Sequence, residues 1–395
     1  MSELPEDIVS LVLNEVYYLN KPGRPLEHTP NRIVLRSCAL VNSVWSRPAQ
    51  ALLFRSVTFT PRFVKAFLEE DMDESRRSLL QHVRIATTLP WDAGYDIDDL
   101  GKTIARCIEH CTALYELGIY AGGPVSFSDD VMDRLSQVSQ SRPAPLRSLR
   151  IHECGVQSRV VQQLVSTFPS IEFLWINCEV GLPPKVGLDC KAQLYELRLT
   201  RNLRIEFFQW LLQCSQGSLQ VLELRDLPGR ATRDTLRPYC HTVRSLRLMP
   251  FNQISAEVVA MCTNLEELLL MGIPNIFPLP KVLPATLHHL EIVLVTVITL
   301  RTRLAQVTDV VKGHAPLRLL SLRGPAEGIA DFEELEAACR EHDVVLDVDD
   351  GGVWPVRVVI YRLKSCWLTL CQVEASVKTR TFPRRRSVSN FNLMN

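Results

Sequence analysis

The chain has 395 residues, 46% of them hydrophobic and 22% charged, with Lys+Arg and Asp+Glu equal at 44 each. That length holds two or three domains and ample core, and zero formal net charge argues against nucleic acid as the main partner. The twelve cysteines are scattered singly through apolar segments, as expected of reduced, buried thiols in a cytoplasmic or nuclear protein. Glu3, Glu6 and Asp7 stand where a signal peptide needs a basic start. The longest apolar run, Ile292 to Leu300, falls well short of the ~20 residues that span a bilayer, so no membrane partner is expected.

The first fifty residues read as three short helices. After Pro5, the residues Ile8, Leu11, Val12, Val16 and Leu19 recur at helical spacing and predict one buried stripe. Pro5 suits a first turn, and Glu6 and Asp7 complement the positive end of a helix. Val34, Cys38, Val41 and Trp45 form a second stripe, with Thr29-Pro30 as its start signal. A third helix is expected to begin near Ser46-Arg47-Pro48 and to bury Leu52 and Leu53. So small a unit makes little core of its own and must lean on the rest of the chain or on a partner.

Leu4-Pro5-x-x-Ile8 opening a helix, then Leu40-Val41-x-x-x-Trp45, then Leu53-Phe54-Arg55 running into an extended Val57-Thr58-Phe59, resembles the F-box. Two departures are visible: Asn20 to His28 lengthens the first connection, and Asn42-Ser43 replaces the usual small-then-basic pair. The resemblance implies a three-helix unit that docks on the Skp adaptor and, through it, on the cullin of a ubiquitin ligase. The implied adaptor contacts are Leu4, Pro5, Ile8, Leu40, Val41 and Trp45. The other reading of the same residues is a helical cap on the domain that follows. Exposure of Leu4, Ile8 and Trp45 would favour docking, and burial against the first repeat would favour the cap.

The acidic run Glu69 to Glu74 lacks the alternating ligands and central glycine of a calcium loop and reads as a solvated turn. Beyond it, one pattern, apolar-x-x-apolar-x-apolar, occurs ten times, starting at Leu80, Leu114, Leu146, Ile171, Leu194, Leu219, Val243, Leu265, Leu287 and Leu317. Successive starts lie 22 to 34 residues apart, which is the leucine-rich-repeat signature. The predicted fold is therefore α/β: a degenerate leucine-rich-repeat solenoid whose parallel strands line a concave face, with helices such as 158–168, 206–214 and 332–340 behind. Only Cys154 and Asn202 keep the polar or thiol residue expected just after a strand. The expected domains are a helical unit at 1–59, a linker and first repeat helix at 60–77, the solenoid at 78–350 and a basic, partly disordered tail at 351–395.

Alternation along the strands places a column of outward residues at Arg84, Gly118, Arg150, Trp175, Arg198, Glu223, Arg247, Leu269, Glu291 and Ser321. A second column carries Tyr120, His152, Asn177, Thr200, Arg225, Met249 and Met271. Arg150, Phe173, Trp175, Arg198, Glu223, Arg225 and Arg247 are the candidate substrate-binding residues, because Trp and Arg dominate binding hot spots. Arginine forks suit an acidic or phosphorylated protein partner. The bland alternative has Glu223 and Glu291 pairing with neighbouring arginines.

No phosphate-binding glycine loop, dinucleotide fingerprint or nucleophile elbow occurs, so neither a cofactor nor an active site is predicted. Cys107 and Cys111, four apart on a helix, read as core thiols or two metal ligands, and no second pair completes a metal site. His289 points outward on a repeat strand, with His288 at its entrance. In the tail, Arg384-Arg385-Arg386-Ser387 fits an import patch, a kinase site or a solvated terminus. Taken with the following repeats, the first helices resemble fungal F-box proteins with C-terminal leucine-rich repeats, the non-catalytic substrate receptors of SCF-type ligases. A leucine-rich-repeat scaffold outside any ligase and an enzyme with an unrecognised site are the alternatives.

Overall fold

The computed structural model describes residues 5–17, 31–59, 67, 77–87, 97–141, 146–249, 251–272, 283–294, 304–324, 326, 329 and 331–349, with 84–87 and 97–100 as backbone alone. Leu4, Leu19, the long connection 20–28, the acidic run Glu69 to Glu74, the side chain of Arg84 and the tail 351–395 lie outside the described residues.

Three helices come first: α1 (Glu6–Tyr17), α2 (Arg32–Cys38) and α3 (Ser43–Arg55). Pro5 precedes α1, and its carbonyl accepts from the backbone N–H groups of Ile8 and Val9, both at 3.1 Å. The side chain of Asn31 caps α2 by accepting from Val34 N at 3.3 Å, and Asn42 caps α3 by accepting from Trp45 N at 3.1 Å. Each satisfies an N–H that the first turn leaves without an intrahelical partner. Asn42 therefore moves the start of α3 to Ser43, ahead of the expected Ser46.

Val9, Leu13 and Tyr17 share one face of α1 and meet Leu35, Ala49 and Leu52 in a small separate core, with Cys38, Trp45 and Leu53 half-buried around it. This corrects the expected stripes. Ile8, Leu11 and Val12 face solvent, as do Val34 and Val41, while Leu35 takes the buried place on α2. Helix α1 is apolar on both sides, and the two short helices beside it cover only one. Periodicity marks an apolar face without saying which face finds a neighbour.

Helix α3 runs directly into β1 (Ser56–Phe59), the first of twelve strands among the described residues. The others are β2 (His82–Thr87), β3 (Glu116–Ala121), β4 (Ser148–His152), β5 (Phe173–Asn177), β6 (Glu196–Leu199), β7 (Val221–Leu224), β8 (Ser245–Leu248), β9 (Glu267–Met271), β10 (His289–Val293), β11 (Leu319–Arg323) and β12 (Val345–Asp349). All pair in parallel and in chain order as one sheet. Val57 sits opposite Val83 and Phe59 opposite Ile85. Phe54-x-x-Val57-x-Phe59 is thus a further copy of the repeat, and the sheet begins at Ser56 rather than after residue 78.

The helices behind the sheet are α4 (Ile97–His110), α5 (Asp129–Ser141), α6 (Val160–Thr167), α7 (Ile205–Leu212), α8 (Arg230–Leu236), α9 (Gln253–Met261), α10 (Ala305–Gly313) and α11 (Phe332–Glu341). Between β5 and β6 the chain passes through residues 178–195 without a helix. Trp210 ties that passage down by donating Nε1–H to Leu188 O at 2.6 Å.

In the ten copies from Leu80 to Leu322, every motif residue whose side chain is described lies in one continuous core and is at most 4% exposed, while Phe54 and Val57 of the first copy are half-buried against it. Full burial of a leucine is worth about 1.5–3 kcal/mol, and the motif repeats that gain from β3 to β11, so stacked repeats hold what one could not. The architecture is a leucine-rich-repeat-type solenoid. Cys107 and Cys111 lie inside this core with sulfurs 3.9 Å apart, as core thiols. The side-chain N–H of Asn202 donates to Leu227 O in the next repeat at 2.8 Å, which explains a polar residue at that position.

Candidate interaction surfaces

Two surfaces carry residues singled out by the sequence. The first is a set of exposed apolar side chains on the helical unit. Leu40 is 86% exposed, Ile33 79%, Leu11 63%, Val41 61% and Ile8 44%, and Val12 and Val34 add to the same apolar set. Pro5 is exposed beside them, whereas Trp45 is half-buried against the small core. Among the expected adaptor contacts, Pro5, Ile8, Leu40 and Val41 are open to solvent and Trp45 supports the core from within. Ile33 and Leu11, exposed in the same unit, were not singled out by the motif.

The second surface is the sheet face opposite the core. The register places Gly118, Arg150, Trp175, Arg198, Glu223, Arg247, Leu269, Glu291 and Ser321 side by side from β3 to β11, as alternation predicts. Tyr120 and His152 stack with ring centroids 4.2 Å apart, and His152 meets Trp175 edge-on at 4.7 Å. The guanidinium carbons of Arg150, Arg198 and Arg225 lie 5.6, 5.8 and 5.5 Å from the centroid of Trp175. These are cation–π distances, so Trp175 is the hub of the patch. Phe173 stands apart, half-buried, with its ring 5.7 Å from Tyr195.

The arginines are not a bare cationic ladder. Arg150 Nη2 reaches Glu116 at 2.8 Å, Arg198 pairs with Glu196, and Arg225 Nε donates to Glu223 at 2.6 Å. Glu223 also faces Arg198 at 3.8 Å and Arg247 at 3.9 Å. At 2% exposure, Glu223 is a buried anion that positions three arginines rather than an open contact for a partner. Carboxylates this close reduce the attraction of the patch for a highly charged anion. Glu116, Glu196 and Glu267 were missed because they lie two residues before the predicted column. The period of two that placed the arginines puts these carboxylates on the same face.

Further along, Glu267 Oε1 lies 3.2 Å from His289 Nδ1, and His289 Nε2 lies 3.1 Å from Ser321 Oγ. The hydrogen bond from His289, helped by Ser245 and Arg247, holds the Glu267 carboxyl down at about 2, against the opposing effect of burial. With that carboxylate ionised, Nδ1 donates to it, and Nε2 shares a hydrogen bond with the serine hydroxyl. The order matches a serine–histidine–carboxylate relay, but Ser321 is 0% exposed, so an electrophile has no path to Oγ. The trio is a structural brace across β9, β10 and β11. Burial pushes the Glu291 carboxyl up, with Arg323 only partly offsetting it. Among the described residues no group of three or more His, Cys, Asp or Glu is placed to hold a metal, and no helix is long and apolar enough to cross a membrane.

No family model matches the sequence, and neither does any curated protein. Among solved structures, the crystal structure of the leucine-rich repeat-containing protein LegL7 from Legionella pneumophila is similar at 14% sequence identity. The match covers 78% of this chain and 95% of that one, with a TM-score of 0.40.

Proposed function

We propose that the chain is a non-catalytic substrate-recognition subunit of an SCF-type ubiquitin ligase. The helical unit, F-box-like in sequence, binds the Skp adaptor and through it the cullin, while the open face of the repeats binds a protein substrate. Its mechanism is proximity: holding a target lysine near a ubiquitin-loaded enzyme raises effective concentration without chemistry by this chain.

The observation that carries this reading is the exposed apolar set Ile8, Leu11, Val12, Ile33, Val34, Leu40 and Val41. A cap would bury these residues against the first repeat, whereas seven large apolar side chains left in water on one small unit point to a partner site. One observation favours the second reading, a repeat scaffold outside any ligase. Arg32 Nη2 donates to Ser56 O at 3.0 Å, and α3 is continuous with β1, so the unit also closes the sheet edge. The two roles are compatible, because the edge contact is made by Arg32 and the end of α3, neither of which belongs to the exposed apolar set.

Co-expression of the full chain with the Skp adaptor separates the readings. A stoichiometric complex that is lost in Ile8→Asp, Leu40→Asp, with circular dichroism unchanged, supports the receptor. A soluble chain indifferent to the adaptor leaves the scaffold.

A further inference from the structure

The patch around Trp175 has two properties that together define a ligand. Hydrogen-bond donors are in excess: a guanidinium carries five N–H groups, yet among the described residues Arg150 is engaged only through Nη2 and Arg198 only through Nε. Among the described residues Trp175 Nε1 and Arg247 Nε are buried with no hydrogen-bond partner, and Arg247 Nη1 meets Glu223 Oε2 only as a 3.9 Å ion pair, too long for a hydrogen bond. Charge, in contrast, is close to balance. Arg150, Arg198, Arg225 and Arg247 face Glu116, Glu196 and Glu223, and the next carboxylate, Glu267, is 3.7 Å from Arg247 and held by His289 and Ser245.

Surplus donors call for an acceptor-rich group. Near-balanced charge selects an anion of one charge over phosphate, which brings about two and would strain against the nearby carboxylates. The aromatic cluster of Tyr120 and Trp175, packed through the buried His152, gives the neighbouring peptide an apolar surface to lie on.

We infer that the open face over β4–β7 receives an acidic, unphosphorylated segment of a partner protein, with one carboxylate seated on Arg150 and Arg198 beside the Trp175 ring. This rests on the reading that the open sheet face is where a partner protein binds, and it names the chemistry of that partner.

The test uses the full chain and three fluorescein-labelled, capped peptides on one Gly/Ser scaffold, with a central Glu, Gln or phosphoserine. Fluorescence anisotropy is expected to show the Glu peptide binding about tenfold tighter than the Gln peptide, and at least as tightly as the phosphoserine peptide. Arg198→Gln and the more exposed Arg150→Gln are each expected to abolish that preference while thermal unfolding of Arg150→Gln matches the wild type. Equal binding of Glu and Gln peptides, absence of binding by all three, or a preference that survives in both variants overturns the inference. Phosphoserine bound tenfold tighter than Glu reassigns the site to a phosphorylated segment and overturns it as well. Adaptor co-purification is read independently: a Skp complex without peptide binding sinks this inference alone, and peptide binding without a Skp complex sinks the ligase reading alone.

Discussion

Glu223 Oε1 accepts a 2.6 Å hydrogen bond from Arg225 Nε two residues along the chain, and the same carboxylate faces Arg198 and Arg247 on the flanking strands. One buried anion thus fixes three arginines of the open face. Removing one partner of a buried ion pair leaves uncompensated charge behind, and here the arginines keep some solvent. Glu223→Gln is expected to cost about 2–3 kcal/mol, read as a lower urea midpoint with unchanged slope.

The core side of the same strand gives a comparison of a different kind. Leu222 is fully buried, and Leu222→Ala is expected to cost about 2–5 kcal/mol from lost burial plus the cavity left behind. Unlike Glu223→Gln, its effect should be insensitive to salt between low and physiological ionic strength, which urea titration at two salt concentrations measures.

Acid should act through Glu267. Its folded carboxyl, near 2, lies below the ordinary value of 4.5, so it stabilises the fold above about pH 4.5 and loses that contribution as pH falls towards 2. After allowance for its partial exposure this amounts to about 1–2 kcal/mol. Glu291 has the opposite sign: its raised pKa makes the ionised form a liability that protonation relieves as pH falls. Glu267→Gln should flatten the acid limb of stability against pH, and Glu291→Gln should raise stability at neutral pH.

Asn42 and Asn31 cap helices of the N-terminal unit, so their loss should be felt locally. Asn42→Ala is expected to weaken the unit by about 1 kcal/mol, with faster amide exchange at the start of α3 and no change in β3–β11.

The repeat was legible because its spacing is dictated by burial: Leu-x-x-Leu-x-Leu has only one way to face a core on successive parallel strands. Phe54-x-x-Val57-x-Phe59 follows the same rule, yet in the sequence alone Leu53-Phe54-Arg55 equally completes the motif of the helical unit. The arginine column was placed correctly by alternation, whereas its neutralisation by Glu116, Glu196 and Glu223 depends on cross-strand register, which spacings of 22 to 34 residues do not fix. In α1, Ile8 and Val9 are adjacent and both apolar, so only the packing of Leu35 and Leu52 decides which of them is buried.

The most direct test of the account is hydrogen–deuterium exchange of the full chain with and without saturating Skp adaptor. Docking through the exposed apolar set predicts added protection in residues 6–17 and 32–41, with exchange in β3–β11 unchanged. Protection confined to the sheet strands, or none anywhere, would contradict it.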